Sequence, residues 1–179
     1  MTIPVIDIFA GPGGLSEGFS SVVKDNTRLF DVRLSIEMDQ NAHKTLQLRS
    51  FFRKFPIGQA PVEYYDMLME ANPVSREERL IRLYEKYKNE AADAKEEAWC
   101  AELGGEHFPP ELVDSRIKNA LNGVRNWVLI GGPPCQAYSV VGRSRRQWRD
   151  ELKTEDKRVH LYKEYLRIIA VHHPAVFVM

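Results

Sequence analysis

The chain has 179 residues, of which 25 are basic, 25 are acidic and 44% are hydrophobic, so its formal net charge is zero. This composition is ordinary for a globular protein, and no apolar stretch approaches the roughly 20 residues of a membrane helix. Without a charged and apolar leader before Pro4, we expect a soluble intracellular protein. Cys100 and Cys135 give neither a metal-binding spacing nor a disulfide framework, so we expect no metal and a reducing compartment. Any nucleic-acid surface must come from local clustering of charge.

The first predicted element is a short buried strand, residues 5–9, followed by a glycine-rich turn that opens a helix, residues 10–19. This order is typical of a nucleotide-binding start, because glycines let the backbone approach a ligand closely. A dinucleotide fingerprint places glycine or alanine three residues after Gly13, where this chain has Ser16. NAD binding is therefore disfavoured.

A second apolar strand is predicted over residues 34–39, and it ends in acidic residues. A carboxylate at this point of a nucleotide-binding fold can accept hydrogen bonds from the two hydroxyls of a ribose. Glu37 is the candidate for that role.

The middle of the chain, from about residue 72 to residue 123, is predicted to be a helical insertion without chemistry of its own. Ser75 and Glu78 form a capping-box pattern at the start of one helix, and Gly104–Gly105 and Pro109–Pro110 mark its end. An apolar stripe recurs along it at three- and four-residue steps, at Leu80, Tyr84, Tyr87, Ala91, Ala94 and Ala98. We expect this stripe to pack within the chain, the alternative being a partner helix.

A third buried strand, residues 127–130, leads into the sequence GGPPCQAYS, residues 131–139. Two glycines and two prolines make this turn stiff, so it presents Cys135 as a nucleophile at the end of a strand. Residues 143–149 follow with four arginines around Trp148. That cluster suits the phosphates of a nucleic acid, the alternative being a solvated basic loop. A strand from Pro174 completes the prediction, with His172 and His173 as structural residues at the helix end before it.

Four sequence features follow one another along the chain: the glycine turn DIFAGPGGLSEGF, the acid-ended second strand, the sequence GPPCQ followed by Ser139, and the D-x-R-x-x-L segment at residues 156–161. Together they resemble the N-terminal part of the catalytic domain of DNA (cytosine-5) methyltransferases. The resemblance implies an α/β fold with a doubly wound, Rossmann-like sheet of the S-adenosylmethionine-dependent type, truncated here, with ligands at the carboxyl ends of the strands.

The resemblance also implies the chemistry and the residues that perform it. The Cys135 thiolate would attack carbon 6 of a flipped cytosine, so that carbon 5 takes the methyl group from S-adenosylmethionine. The catalytic motif would comprise Pro134, Cys135, Gln136 and Ser139. The methyl donor would lie among Phe9, Ala10, Gly11, Gly13, Gly14, Leu15, Glu37, Met38, Asp66, Pro133 and Leu161. Double-stranded DNA would contact Arg143, Arg145, Arg146 and Arg149. Asp66 lacks the family's preceding glycine, so a helix-capping role is the alternative for it.

The family's next motif, Glu-Asn-Val, and its target-recognition region are absent from residues 1–179. We therefore expect the chain to be an incomplete part of one catalytic domain with little or no turnover alone. One alternative is the donor-binding half of a split or inactive methyltransferase, completed by a second polypeptide. The other is a transfer-RNA cytosine-5 methyltransferase, although Ala137-Tyr138-Ser139 resembles the DNA enzymes more closely. The expected setting is the bacterial cytoplasm, in association with the nucleoid, as the modification enzyme of a restriction system.

Overall fold

Five parallel strands form the central sheet in a computed structural model that describes residues 2–133 and 161–179. The elements in chain order are β1 (Ile3–Ile8), α1 (Gly14–Ser20), β2 (Val23–Lys24), β3 (Thr27–Arg28), β4 (Phe30–Glu37), α2 (Gln40–Arg53), α3 (Val62–Met69), α4 (Pro73–Lys86), α5 (Lys88–Glu97), β5 (Ala98–Cys100), α6 (Pro110–Leu121), β6 (Val128–Gly131), α7 (Leu161–His172) and β7 (Val176–Val178). The short strands β2 and β3 form a separate antiparallel hairpin.

The strand order in the sheet is β5-β4-β1-β6-β7, so β1 lies at the centre. The chain runs outward from β1 through β4 to β5, and then crosses back to place β6 on the other side of β1. This reversal is the defining feature of a doubly wound sheet, and it puts the topological switch point between the carboxyl ends of β1 and β6. The predicted α/β, Rossmann-like fold class is confirmed.

The central strands are apolar because helices cover both faces of the sheet. On one face, Ile6 and Ile8 pack with Trp127, Tyr165 and Ile168 in a cluster that α6 and α7 complete. On the other face, a second cluster contains Val5, Val32, Val128 and Ile130, with Phe19 of α1 packed against it. The parallel sheet is thus the middle layer of three, and the ends of its strands are the edges at which loops can form a site.

The long predicted helix of the middle region is two helices, and its predicted N-cap is wrong. Asn72 caps α4 by accepting hydrogen bonds from the backbone N–H groups of Val74 and Ser75, with Pro73 in the first turn. Ser75 therefore lies inside the helix, because the Asn-Pro pair supplies both a side-chain acceptor and a preset φ one turn earlier. Tyr87, with φ −113° and ψ 61°, separates α4 from α5.

Residues 72–123, predicted to be an insertion, contribute to the sheet and to its main core. Within this range β5 pairs with β4. Val113, Ile117 and Leu121 of α6 are buried in the same cluster as Ile6 and Ile8. These parts are integral to the domain, whereas α4 contributes to a satellite cluster around Phe51 of α2. The predicted internal packing of the apolar stripe agrees with this satellite cluster, which includes Leu80, Tyr84, Tyr87, Ala91 and Ala94.

A buried ion-pair cluster joins α2 to α5. The Nη2 atom of Arg53 donates to Oε1 of Glu97 at 2.6 Å, and Nζ of Lys54 donates to its Oε2, also at 2.6 Å. The Arg53 and Glu97 side chains are only 6% and 3% exposed. Arg53 also reaches Glu17 of α1 at 3.1 Å, so one guanidinium links three helices.

Candidate functional site

The turn between β1 and α1 has three residues in the left-handed backbone region. These are Phe9 with φ 55°, Gly11 with φ 56° and Gly13 with φ 85°. For a large residue such as Phe9 this conformation is unfavourable, and such outliers cluster at ligand-binding sites. The backbone N–H of Ala10 donates to the carbonyl of Ile36 at 3.0 Å. The turn is therefore fixed to the end of β4 from its first residue.

Helix α2 packs directly against this turn. A Cβ atom added to Gly13 would lie 2.8 Å from Cδ1 of Leu46, so the Leu46 side chain would have to shift. Arg49 of α2 donates to the carbonyl of Pro12 at 2.9 Å. Added Cβ atoms at Gly11 and Gly14 would meet nothing within 4 Å. The turn is thus held on the α2 side and open on the side of these two glycines.

Glu37 is the last residue of β4, and its carboxylate contacts the glycine turn. One carboxylate oxygen, Oε2, accepts a hydrogen bond from the N–H of Gly11 at 2.7 Å, and Oε1 accepts one from the N–H of Asp39 at 2.7 Å. Each oxygen keeps a further lone pair, so the group can still accept hydrogen bonds from a ligand. Leu15 and Met38, which are predicted to contact the donor, are close in sequence to the glycine turn and to Glu37. Their relative exposures are 41% and 53%.

Asp66 does not lie at the end of a sheet strand. It is an exposed residue within α3, where Pro61 and Glu70 occupy the cap positions, so the helix-cap alternative is wrong. The strand beside β4 is β5, with Cys100 opposite Glu37 in the register. The N–H of Ala101 donates to the carbonyl of Glu37 at 3.1 Å, and the exposed Glu102 follows. The carboxyl end of β5 is a part of this edge that sequence reasoning missed.

The strand that leads to the cysteine sequence ends beside the glycine turn. Gly131 of β6 is paired with Ile8 of β1. An added Cβ atom at Gly131 would lie 2.2 Å from the carbonyl oxygen of Ile8 and 3.1 Å from the Tyr165 ring, so only glycine fits here. Gly132 and the half-buried Pro133 follow at the same edge. Cys135 comes two residues after Pro133 in the sequence.

Several predicted site residues lie outside the described residues. These are Pro134, Cys135, Gln136 and Ser139 of the catalytic motif, and Arg143, Arg145, Arg146 and Arg149 of the basic cluster. Leu161 is the half-buried first residue of α7. Glu164, one turn later, lies against Gly104 in the loop after β5, since a Cβ at Gly104 would be 3.2 Å from its Cγ.

The second half of α7 is fixed to α6 through the carboxylate of Asp114. Arg167 Nη1 and His172 Nε2 lie 2.8 Å and 2.9 Å from the same oxygen, Oδ1, of Asp114. The His172 side chain is 3% exposed, which agrees with its predicted structural role. These contacts fix the direction of the helix that follows residues 134–160.

Asp7, the penultimate residue of β1, is a buried acid beneath the glycine turn to which the sequence analysis gave no role. Burial raises its pKa to about 7, although a hydrogen bond from Ser16 and the charge of Arg53 oppose the shift. Its Oδ2 accepts the hydroxyl hydrogen of Ser16, which lies 3.5 Å from the hydroxyl of Ser35. An acid inside an apolar strand was the signal that sequence reasoning could have used.

A separate cavity of about 510 Å³ lies at the amino ends of the strands, opposite the candidate site. Its lining includes Thr2, Phe30 and Asp31, at the amino ends of β1 and β4, with Arg28 and Arg53. Because ligands of doubly wound sheets bind at the carboxyl ends, this cavity is not the candidate site. Within residues 2–133 and 161–179, no cluster of metal-binding side chains occurs, and no helix has the length and apolar character to cross a membrane.

Comparison with known proteins gives concordant matches. Residues 112–179 match the family model described as C-5 cytosine-specific DNA methylase. The chain is 32% identical over 184 residues to the type II methyltransferase M.Bpa9945I of Bacillus paralicheniformis, covering 97% of this chain and 39% of that protein. It is 38% identical over 68 residues to the type II methyltransferase M1.HphI of Haemophilus parahaemolyticus, covering 38% of this chain and 17% of that protein. The chain thus spans well under half the length of these relatives. No solved structure gives a significant match.

Proposed function

The chain belongs to the C-5 cytosine-specific DNA methylase family, and on that basis we propose that it is the donor-binding and cysteine-bearing part of a DNA cytosine-5 methyltransferase. The observation that carries the proposal is the pairing of Ile8 with Gly131. It brings the glycine turn after β1 to the same edge of the sheet as Gly131, Gly132 and Pro133, the residues that precede Cys135 by two to four positions in the sequence, at the topological switch point. A methyl donor and a nucleophilic thiol must meet at such a point if the two act on one base.

The residues at this edge fit S-adenosylmethionine. Glu37 has an acceptor-only carboxylate, which matches the vicinal hydroxyls of the donor's ribose. Gly11 and Gly14 leave open space where a side chain would otherwise stand, and Leu15 and Met38 supply exposed apolar surface. We propose that the donor lies along the glycine turn, with its adenine towards the carboxyl end of β5. Cys100 and Glu102 are better placed for that end than Asp66.

When bound, S-adenosylmethionine supplies a methyl group activated by the adjacent sulfonium. In the proposed mechanism the chain's own part is nucleophilic: Cys135 forms a bond from its sulfur to carbon 6 of cytosine, and so makes carbon 5 electron-rich. Loss of the carbon 5 proton after methylation then releases the thiol. Because the ring must be reached by the sulfur, the base has to leave the DNA stack. The four arginines after the cysteine turn are proposed to contact the DNA phosphates.

Target recognition and the remaining catalytic groups are proposed to lie in the parts of the relatives that this chain does not cover. A second polypeptide or a continuation of the chain would supply them.

Donor binding is tested by calorimetric titration of the chain with S-adenosylmethionine. Glu37→Ala should weaken binding at least about tenfold, the effect of losing roughly one charged hydrogen-bonding group. Glu106→Ala, an exposed acid in the loop after β5, is the matched control and should bind normally. Equal affinities for the two variants would remove Glu37 from the donor site.

The nucleophile is tested with a complete methyltransferase that contains this chain, incubated with the donor and with a DNA duplex containing 5-fluorocytosine. Carbon 5 of this base carries fluorine in place of hydrogen, so no proton can be lost from it after methylation. The covalent adduct should therefore accumulate and migrate slowly on a denaturing gel. The Cys135→Ser variant should form no adduct. An equal adduct in both proteins would contradict the role of Cys135, and an adduct with transfer RNA instead of DNA would favour the RNA alternative.

A further inference from the structure

Asp7 is a buried carboxyl group with an incomplete set of hydrogen bonds. Its relative exposure is 0%, as are those of Ile6 and Ile8 on either side of it. The Ser16 hydroxyl donates to Oδ2, whereas Oδ1 has no partner among the described residues. Buried polar groups without partners are uncommon in folded proteins, and those that occur often have a functional explanation.

Among the described residues, the Asp7 side chain takes its hydrogen bonding from Ser16, in the first turn of α1 directly after the glycine-rich turn. Ser16 follows Gly13 by three residues and is itself fully buried. Its hydroxyl also approaches that of Ser35 on β4 at 3.5 Å. Asp7, Ser16 and Ser35 therefore connect β1, α1 and β4 immediately beneath the turn.

We propose that Asp7 is a positioning residue for the methyl donor: its hydrogen bond with Ser16 holds the first turn of α1, and with it the glycine-rich turn, in the donor-binding conformation. The inference rests on the proposed binding of S-adenosylmethionine and adds a dependence on protonation to it.

The physical argument is the poor solvation of an ionised Asp7. Burial raises its pKa to about 7, so the neutral acid predominates below that pH. Above it, a carboxylate with one unpaired oxygen is unfavourable in this interior. Movement of the first turn of α1 that admits water relieves this state and displaces Gly13 and Gly14 from the donor.

Charged groups from the surrounding elements act on Asp7 in opposite directions. Arg53 of α2 lowers its pKa, and Glu37 of β4 raises it. The pKa of Tyr165 on α7 is raised to about 12, first by its own burial and then by the charge of Asp7. These groups set the pH at which Asp7 ionises, whereas its hydrogen bonding with Ser16 transmits the change to the turn.

Proton linkage gives the test, since a donor that binds the protonated form must take up protons when Asp7 is ionised. Calorimetric titration of the chain with S-adenosylmethionine near pH 8, in two buffers of different ionisation enthalpy, should show net proton uptake. Affinity should fall by up to about tenfold per pH unit above neutrality, the limit for one coupled proton. Asp7→Asn, which preserves shape and can still accept from Ser16, should show neither effect beyond the donor's own titration.

Ser16→Ala provides a second variant that leaves Asp7 in place. Because it removes the hydroxyl through which Asp7 acts on the turn, Ser16→Ala should weaken donor binding, and it should reduce the coupled proton uptake as Asp7→Asn does. Equal proton uptake by the unchanged chain and by Asp7→Asn would overturn the inference while leaving donor binding intact. Absence of donor binding by the unchanged chain at every pH would overturn the proposed function, and this inference with it.

Discussion

Replacing Glu97 by glutamine should destabilise the chain strongly, although the side chain keeps its shape and most of its volume. Glu97 is the common partner of Arg53 and Lys54, with both contacts at 2.6 Å. Its side chain is 3% exposed and that of Arg53 is 6% exposed. The substitution leaves a buried guanidinium without the carboxylate that joins α2 to α5.

Removing one partner of a buried ion pair costs about 3 to 5 kcal/mol, because the remaining charge is left uncompensated. Arg53 keeps a contact with Glu17 at 3.1 Å, and the Lys54 side chain is 23% exposed, so water can solvate it. We therefore expect the lower end, about 3 kcal/mol of unfolding free energy. For a chain of this size that corresponds to a fall in melting temperature of roughly 6 to 12 °C.

Urea unfolding, followed by the fluorescence of the buried Trp127, measures this loss. Glu96→Gln is the matched control, since Glu96 is 76% exposed and pairs with Arg116 at 3.1 Å. An exposed pair contributes at most about 1 kcal/mol. Combining Glu97→Gln with Arg53→Met should cost less than the sum of the two single changes, with a coupling energy of at least about 1 kcal/mol. A loss no greater than that of Glu96→Gln would show that the pair does not join the helices.

Two further substitutions test the packing and the electrostatics of the site. Gly131→Ala should lower the unfolding free energy by at least about 2 kcal/mol, because the added Cβ would meet the Ile8 carbonyl at 2.2 Å. Gly132→Ala is the control and should change the urea midpoint little, since the space around its Cβ is open. Equal effects of the two substitutions would refute the close approach. Asp7→Asn should stabilise the chain relative to the unchanged one, by an amount that grows as pH rises from about 4 to about 7 and is constant above that. The pKa of Asp7 is raised from 3.8 to about 7 on folding, so the unchanged chain loses stability through that window, by up to about 4 kcal/mol. Urea midpoints of the two proteins that change in parallel with pH would contradict this.

The sheet was predictable where strands are apolar and end at glycine or an acid. β1 and β6 have clear sequence signals because both of their faces are buried, and their predicted bounds differ from the observed ones by one or two residues. β5 was missed because it has three residues and follows a charged helical segment. That strand is identified by its pairing with β4, which is a long-range property.

Helix ends and buried polar contacts were less predictable for the same reason. The break between α4 and α5 at Tyr87 has no glycine or proline as a sequence signal. The apolar stripe also continues from α4 into α5, so its pattern predicts one helix. Arg53 and Glu97 are 44 residues apart, and each looks like an ordinary surface residue in its own helix. The glycine turn and Glu37 were selected from sequence, and their contact through the N–H of Gly11 is a tertiary feature. The donor and catalytic roles remain predictions.

The position of β1 in the sheet also determines when the site can form during synthesis. Its neighbour β4 is made soon after it, whereas β6 begins at Val128. A nascent chain that ends before this strand can complete one side of β1 only, and Ile8 stays uncovered on the other. The glycine turn is then translated early, but its contact with the end of β6 forms much later. Contacts between residues distant in sequence form only after the intervening chain is available. The proposed donor site is therefore expected to form in newly made chains only after β6 has left the ribosome.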